Sequence, residues 1–226
     1  MALSDFTGPT FVDDWSADLD ARWPERKQAF QAVVATIGAW AQGGLPVNAS
    51  PAVVMELGIG AGHLADAVLD VLDTGSAQGA HYVGLDIEVR LIEHNRARLI
   101  ARRDPERVDF FQVDLNSSDW GSYSEHEAPT IDAAFSLQSL HDLAGMAALT
   151  AVYQRLFRVL RPGGLLINAD FVVPFPKDDP REPRRFPVDE HRQLLTRTGY
   201  VEFSHSRHGD LACMSARKPN IEGKPQ

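Results

Sequence analysis

Residues 56–62 read Glu56-Leu57-Gly58-Ile59-Gly60-Ala61-Gly62, and the fold of the chain turns on this stretch. An apolar run, residues 52–57, enters it. An amphipathic run leaves it, with Leu64, Ala67, Val68, Val71 and Leu72 on one helical stripe. That order is a buried parallel strand passing through a glycine turn into a helix. The glycines allow a tight turn and let the backbone come close to a ligand where a Cβ would intrude. A dinucleotide fingerprint requires its third glycine three positions after the second, where this chain has His63. Glu56 also has no role against a pyrophosphate, which is itself negative, but it suits a ligand with an α-amino group. Both features count against a nicotinamide oxidoreductase.

Working outward, strand and helix keep alternating. On the N-terminal side, residues 1–23 show no clear period but hold Phe6, Phe11, Trp15 and Trp23. A helix runs from Pro24 through Phe30, Val33, Val34, Ile37 and Trp40 to the breaker Gly43-Gly44-Leu45-Pro46. On the C-terminal side a turn at 75–79 precedes a strand at 82–86 and a helix marked by Leu91, Ile92, Asn95 and Leu99. Strands follow at 108–113 and 131–137. A stripe of Leu149, Val152, Tyr153, Leu156 and Leu160 is closed by Arg161-Pro162-Gly163-Gly164, and a fifth strand spans 165–171. Residues 174–187 hold five prolines, too many for regular structure. A short helix at 189–198 precedes runs at 200–203 and 211–216 that flank Arg207-His208-Gly209-Asp210 like a hairpin. The expected fold is α/β: a Rossmann-like doubly wound sheet, mostly parallel, with a C-terminal antiparallel hairpin strand and helices on both faces. The expected organisation is an N-terminal cap or lid with its helix at 1–45, one ligand-binding domain at 46–216 and a disordered tail at 217–226.

Composition narrows the partners. The 226 residues carry a formal net charge of -9, a field that repels phosphate backbones and argues against nucleic acid. The basic stretch 181–192 has acidic residues among its arginines and reads as a solvated loop. Cys213 is the only cysteine, so no internal disulfide or cysteine-rich metal cluster can form. No apolar run reaches the roughly 18 residues of a membrane span, and the N-terminus lacks a signal pattern. The expectation is a cytoplasmic protein without a membrane partner. His205 and His208 read as a polar hairpin tip rather than a metal fragment, and Asp142 with Asp170 offers too few oxygens for a hard cation. No metal is expected, and the oligomeric state is not legible.

The glycine stretch resembles motif I of the class I S-adenosylmethionine-dependent methyltransferases, in particular those acting on small molecules. The resemblance runs from about residue 53 to residue 171 and extends to the closing hairpin. It implies S-adenosylmethionine as cofactor, with Gly58, Gly60 and Gly62 lining the methionine part and Glu56 at the amino group. Asp86 ends the second strand, where a carboxylate can accept two hydrogen bonds from vicinal ribose hydroxyls. The resemblance places Asp114 at the adenine amino group, the Leu115 amide at a ring nitrogen, and Ile87 and Gln138 among the cofactor contacts. Residues 156–164 resemble the family's helix end before strand five.

The acceptor belongs beyond the carboxyl ends of the strands. Residues 136–143 lack the Pro-Pro-aromatic turn of nucleobase amino-methyltransferases and the metal-binding carboxylate of catechol enzymes. A small-molecule acceptor methylated on oxygen or nitrogen is the reading left. A protein substrate and a catalytically silent cofactor-binding module are the alternatives. His141, four residues past the expected end of strand four, is the candidate general base and acceptor contact. Trp15, Trp23, Asp170 and Phe171 are the other candidate acceptor contacts, with the 174–187 loop as a further wall or lid.

Overall fold

A computed structural model of the chain describes residues 3–43, 51–74, 77–117, 120 and 131–220. Two helices open it, α1 (Phe11–Arg22) and α2 (Arg26–Gln42). Alternation follows: β1 (Val53–Leu57), α3 (His63–Asp73), β2 (His81–Asp86), α4 (Val89–Ile100), β3 (Val108–Gln112), β4 (Ile131–Leu137), α5 (Gly145–Val159) and β5 (Leu160–Phe171). The chain then forms α6 (Val188–Thr198), β6 (Val201–His208) and β7 (Leu211–Arg217).

The seven strands lie in the order β3-β2-β1-β4-β5-β7-β6. β1 to β5 pair in parallel, and β7 runs antiparallel between β5 and β6. Winding reverses between β1 and β4, so their carboxyl ends open a crevice at the switch point. Every residue of β4 is buried, as a strand covered on both faces must be. One core lies against α2, α3 and α4, through Val33, Ile37, Leu64, Val68 and Leu99. The other lies against α5 and α6, through Leu149, Tyr153, Leu156, Leu194 and Leu195. The doubly wound sheet with its antiparallel ending is the architecture expected from the sequence.

At the amino-terminal edge, the buried Asp132 carboxylate ties three elements together. It accepts from the Val53 amide at 2.8 Å and from Arg161 Nη1 at 2.7 Å. Gly163, at φ +77, lets β5 bulge between its pairings with Ile131 and Ala133.

Several boundaries move. Residues 11–22 form a helix that the sequence reading left without a period. Phe11, Trp15 and Leu19 recur every four residues, but acidic Asp13, Asp14, Asp18 and Asp20 dominate the composition. The helix assigned to an N-terminal cap is not one: Ala29, Val33 and Ile37 of α2 are fully buried against the sheet and α3. α1 lies over the glycine turn through Trp15. The stretch 161–164, read as a turn, belongs to β5. His205 and His208 stand within β6, three residues apart on opposite faces, and the hairpin tip is Gly209-Asp210. The tail expected to be disordered begins ordered, because Arg217 ends β7 and the Lys218 amide donates to Gly164 O at 2.9 Å. Residues 221–226, Gly75 and the breaker residues 44–46 lie outside the described residues.

Candidate active site

The glycine turn is held in shape from α4. Gly58, Gly60 and Gly62 all take positive φ, at +74, +51 and +79. A Cβ on Gly62 would stand 1.7 Å from Asn95 Oδ1, and one on Gly58 would stand 2.1 Å from Ser139 Oγ. Asn95 Nδ2 donates to Gly60 O at 2.8 Å, and Arg98 Nη1 donates to Ala61 O at 3.2 Å. Among the described residues only the Trp15 ring, at 3.9 Å, meets a Cβ built on Gly60. The turn is thus clamped on one side and bare on the side facing α1.

Polar groups line this bare side. Asp86 is 8% exposed at the end of β2. Its Oδ1 accepts from the Glu88 amide at 2.9 Å and its Oδ2 from the Gly60 amide at 3.4 Å. The amides of Ile59 and Ile87 also act on this carboxylate, so a ligand hydroxyl would share or replace one of these bonds. Burial raises the Asp86 pKa against the pull of those amides. Beside it Ile87 is 61% exposed and Val89 is exposed too, an apolar face of the kind a flat base covers. Asp114, two residues past β3, is exposed and accepts from the Asn116 amide at 2.9 Å, with Leu115 half-buried next to it. Across the crevice Gln138 takes φ +52, rare for a residue with a side chain, and its buried Oε1 has no partner among the described residues.

Glu56 sits deeper than its neighbours. It is 1% exposed, and its Oε2 accepts the Tyr82 hydroxyl at 2.5 Å. Burial pushes its carboxyl up to about 8, against the Tyr82 hydrogen bond, with the Asp86 charge adding to the rise. A cation placed beside it would favour the carboxylate form. These features fit S-adenosylmethionine: a cationic amine for Glu56, a diol for Asp86, a base for Ile87, and bare glycines where a chain must lie close. They do not fit a pyrophosphate, which would face two carboxyls.

The candidate acceptor side is the one around His141, in a short 3-10 turn after β4. The Leu137↔Ala169 register brings Asp170 of β5 alongside this turn. Asp170 Oδ2 accepts the His141 amide at 2.9 Å, and Asp170 Oδ1 meets His141 Nδ1 at 2.6 Å. Burial lowers the imidazole pKa, but the Asp170 carboxylate outweighs it and raises the group above 6.5. Burial likewise works against the Asp170 charge, yet His141 and two backbone amides hold its carboxyl below the ordinary value. Asp142 is exposed and stands 3.6 Å from Nε2. Asp170 is therefore the orienting partner of His141, and at 1% exposure it is not itself placed to touch an acceptor.

Phe171 packs edge-on to the His141 ring at 5.1 Å and to Trp23 at 4.8 Å. Trp23 stacks on Phe175 at 4.9 Å. Trp15 is set apart from this group, over Gly60, so it roofs the cofactor side rather than the acceptor side. Phe11 of the same helix lies under the Arg90 guanidinium at 5.3 Å. Phe175 and Arg185 come from the proline-rich loop, whose composition marked a wall but not which residues would form it. That loop is pinned by Asp178, which accepts from the Phe175 amide and Arg185 Nη1, both at 2.7 Å. Asn95 and Tyr82 carried no signal either, reading as helix and strand core. The sole cysteine is no rival nucleophile, since burial pushes its thiol up to about 12. Among the described residues no helix is long and apolar enough to cross a membrane.

Residues 55–166 match the family model for a methyltransferase domain. No curated protein sequence matches the chain. Among solved structures it is similar to the 1,6-didemethyltoxoflavin-N1-methyltransferase of Burkholderia thailandensis with bound 1,6-didemethyltoxoflavin and S-adenosylhomocysteine. Identity is 22% over 93% of this chain and 88% of that one, with a TM-score of 0.61. It is similar to an O-methyltransferase family protein from the same organism, at 17% identity over 97% and 63% of the two chains and a TM-score of 0.63. The DszA carbon methyltransferase gives a TM-score of 0.69 at 16% identity, over 87% of this chain and 55% of that one.

Proposed function

The chain carries a class I S-adenosylmethionine-dependent methyltransferase domain, and from that premise we propose that it methylates an oxygen or nitrogen of a small molecule, with His141 as general base. The observation that supports this most is the His141–Asp170 pair at the carboxyl ends of β4 and β5. When bound, the cofactor supplies a methyl group on a sulfonium, whose departure as a neutral thioether needs no acid. The protein's part is alignment, exclusion of water and removal of the acceptor's proton. Gly58, Gly60, Gly62, Glu56, Asp86, Ile87, Asp114, Leu115 and Gln138 would hold the cofactor. Trp15 and α1 close it from above. Asp170 binds the Nδ1 proton of His141 and leaves the Nε2 lone pair as acceptor. As the acceptor heteroatom forms its bond to carbon, its proton passes to Nε2. The resulting imidazolium is stabilised by the carboxylate behind it. Trp23, Phe171 and Phe175 supply the apolar wall.

Incubation with methyl-labelled cofactor and fractionated extract, read by mass spectrometry, identifies the acceptor. With it in hand, His141→Ala lowers kcat by about 10²-fold or more, the usual contribution of a positioned base. The base works in its neutral form and its pKa is raised, so kcat climbs with pH through an inflection above 6.5. Asp170→Asn moves that inflection downward, because burial is then opposed only by the Asp142 charge. A flat profile between about pH 5.5 and 8 removes the base assignment.

A further inference from the structure

Arg185 is an unusual residue to find on an acceptor wall. Its side chain is only 10% exposed. The guanidinium carbon stands 3.8 Å from the Phe175 ring centroid and 5.7 Å from that of Phe171, the ring that also packs on His141. One nitrogen, Nη1, is held by Asp178, whereas Nε is buried with no partner among the described residues. A buried guanidinium hydrogen left unbonded is destabilising, and a hydrogen-bond acceptor brought by a ligand would satisfy it. In a protein of net charge -9, a site for an anion also needs a dedicated local cation. The aromatic faces are meanwhile unsuited to an ammonium ligand, because the guanidinium already covers the electron-rich face of Phe175.

Resting on the methyltransferase reading above, we infer that Arg185 selects the acceptor, and that the acceptor is a hydroxylated molecule bearing a carboxylate. The carboxylate lies on Arg185 and the hydroxyl at His141 Nε2. Asp178 holds the arginine in place and competes with the ligand for it.

Binding of three probes without cofactor tests this, by calorimetry and ligand-observed NMR. They are 2-hydroxybenzoate, neutral 2-hydroxybenzamide and cationic tyramine. The wild-type protein binds the carboxylate at least about tenfold more tightly than the amide, with tyramine weakest. Arg185→Gln reduces that preference to under about twofold. Asp178→Asn keeps or increases it, since it frees the guanidinium. A merely structural arginine would instead lose loop order alike in both variants. The inference is overturned by equal binding of carboxylate and amide, by a preference that survives Arg185→Gln, or by its equal loss in Asp178→Asn. A parallel titration with S-adenosylhomocysteine keeps the two readings apart. Its binding without any carboxylate preference sinks the anchor alone. Its failure to bind sinks the methyltransferase reading, while the probes still report on Arg185.

Discussion

Glu56 offers the sharpest test of the proposed cofactor site, because that reading requires its protonation to change when the ligand arrives. The carboxyl is 1% exposed and its pKa stands near 8 against an ordinary 4.5. At pH 7 the ligand-free protein therefore holds a protonated Glu56 in most molecules. A ligand ammonium placed beside it favours the carboxylate and expels the proton. Binding of S-adenosylhomocysteine at pH 7 should release most of one proton, and affinity should rise about tenfold per pH unit up to about pH 8. The same shift acts on folding with a defined sign. A carboxyl whose folded pKa exceeds its unfolded value costs stability as pH rises from the unfolded to the folded pKa. Between pH 4.5 and about 8 the ligand-free protein loses on the order of 5 kcal/mol through this group. Glu56→Gln should lose this pH dependence, being more stable than wild type at pH 8 while binding the ligand far more weakly. Calorimetry in phosphate and Tris, whose ionisation enthalpies differ, counts the protons, and urea unfolding at pH 5 and 8 measures the stability. Proton-neutral binding at pH 7, together with wild-type affinity in Glu56→Gln, would refute the reasoning.

Two further predictions concern the framework of the site. Gly62→Ala forces a Cβ to 1.7 Å from Asn95 Oδ1 at φ +79, so S-adenosylhomocysteine affinity should fall by at least about tenfold. Adding Asn95→Ala should relieve the clash but not restore binding, since Gly60 O then loses its donor; calorimetry on both variants distinguishes the cases. Asp132→Ala leaves Arg161 and the Val53 amide without their shared acceptor and should cost about 3 kcal/mol, the lower end for breaking a buried pair. For a chain of this length that lowers Tm by about 6–12 °C in a circular dichroism melt, and an unchanged Tm would show the clamp to be dispensable.

The sequence by itself determined the strand–helix alternation, the glycine turn and the ligand class that turn admits. These depend on local period, on residues that tolerate positive φ, and on a carboxylate two residues before the first glycine. It also marked Asp86, which ends a strand whose apolar run is plain to read, and His141, four residues past the end of another. Tertiary structure alone decided how those marks combine. Asp142 is adjacent to His141 in sequence, yet the partner is Asp170, 29 residues on, because the β4–β5 register sets it alongside the turn. Trp15 and Trp23 look alike as N-terminal aromatics, but one covers Gly60 and the other stacks on Phe175. The proline-rich stretch shows only that it is not regular; the Asp178 hydrogen bonds that bring Arg185 over Phe175 have no sequence period. Periodicity reports which face of an element is buried. Which side chains meet across strand ends depends on the packing of segments far apart in the chain.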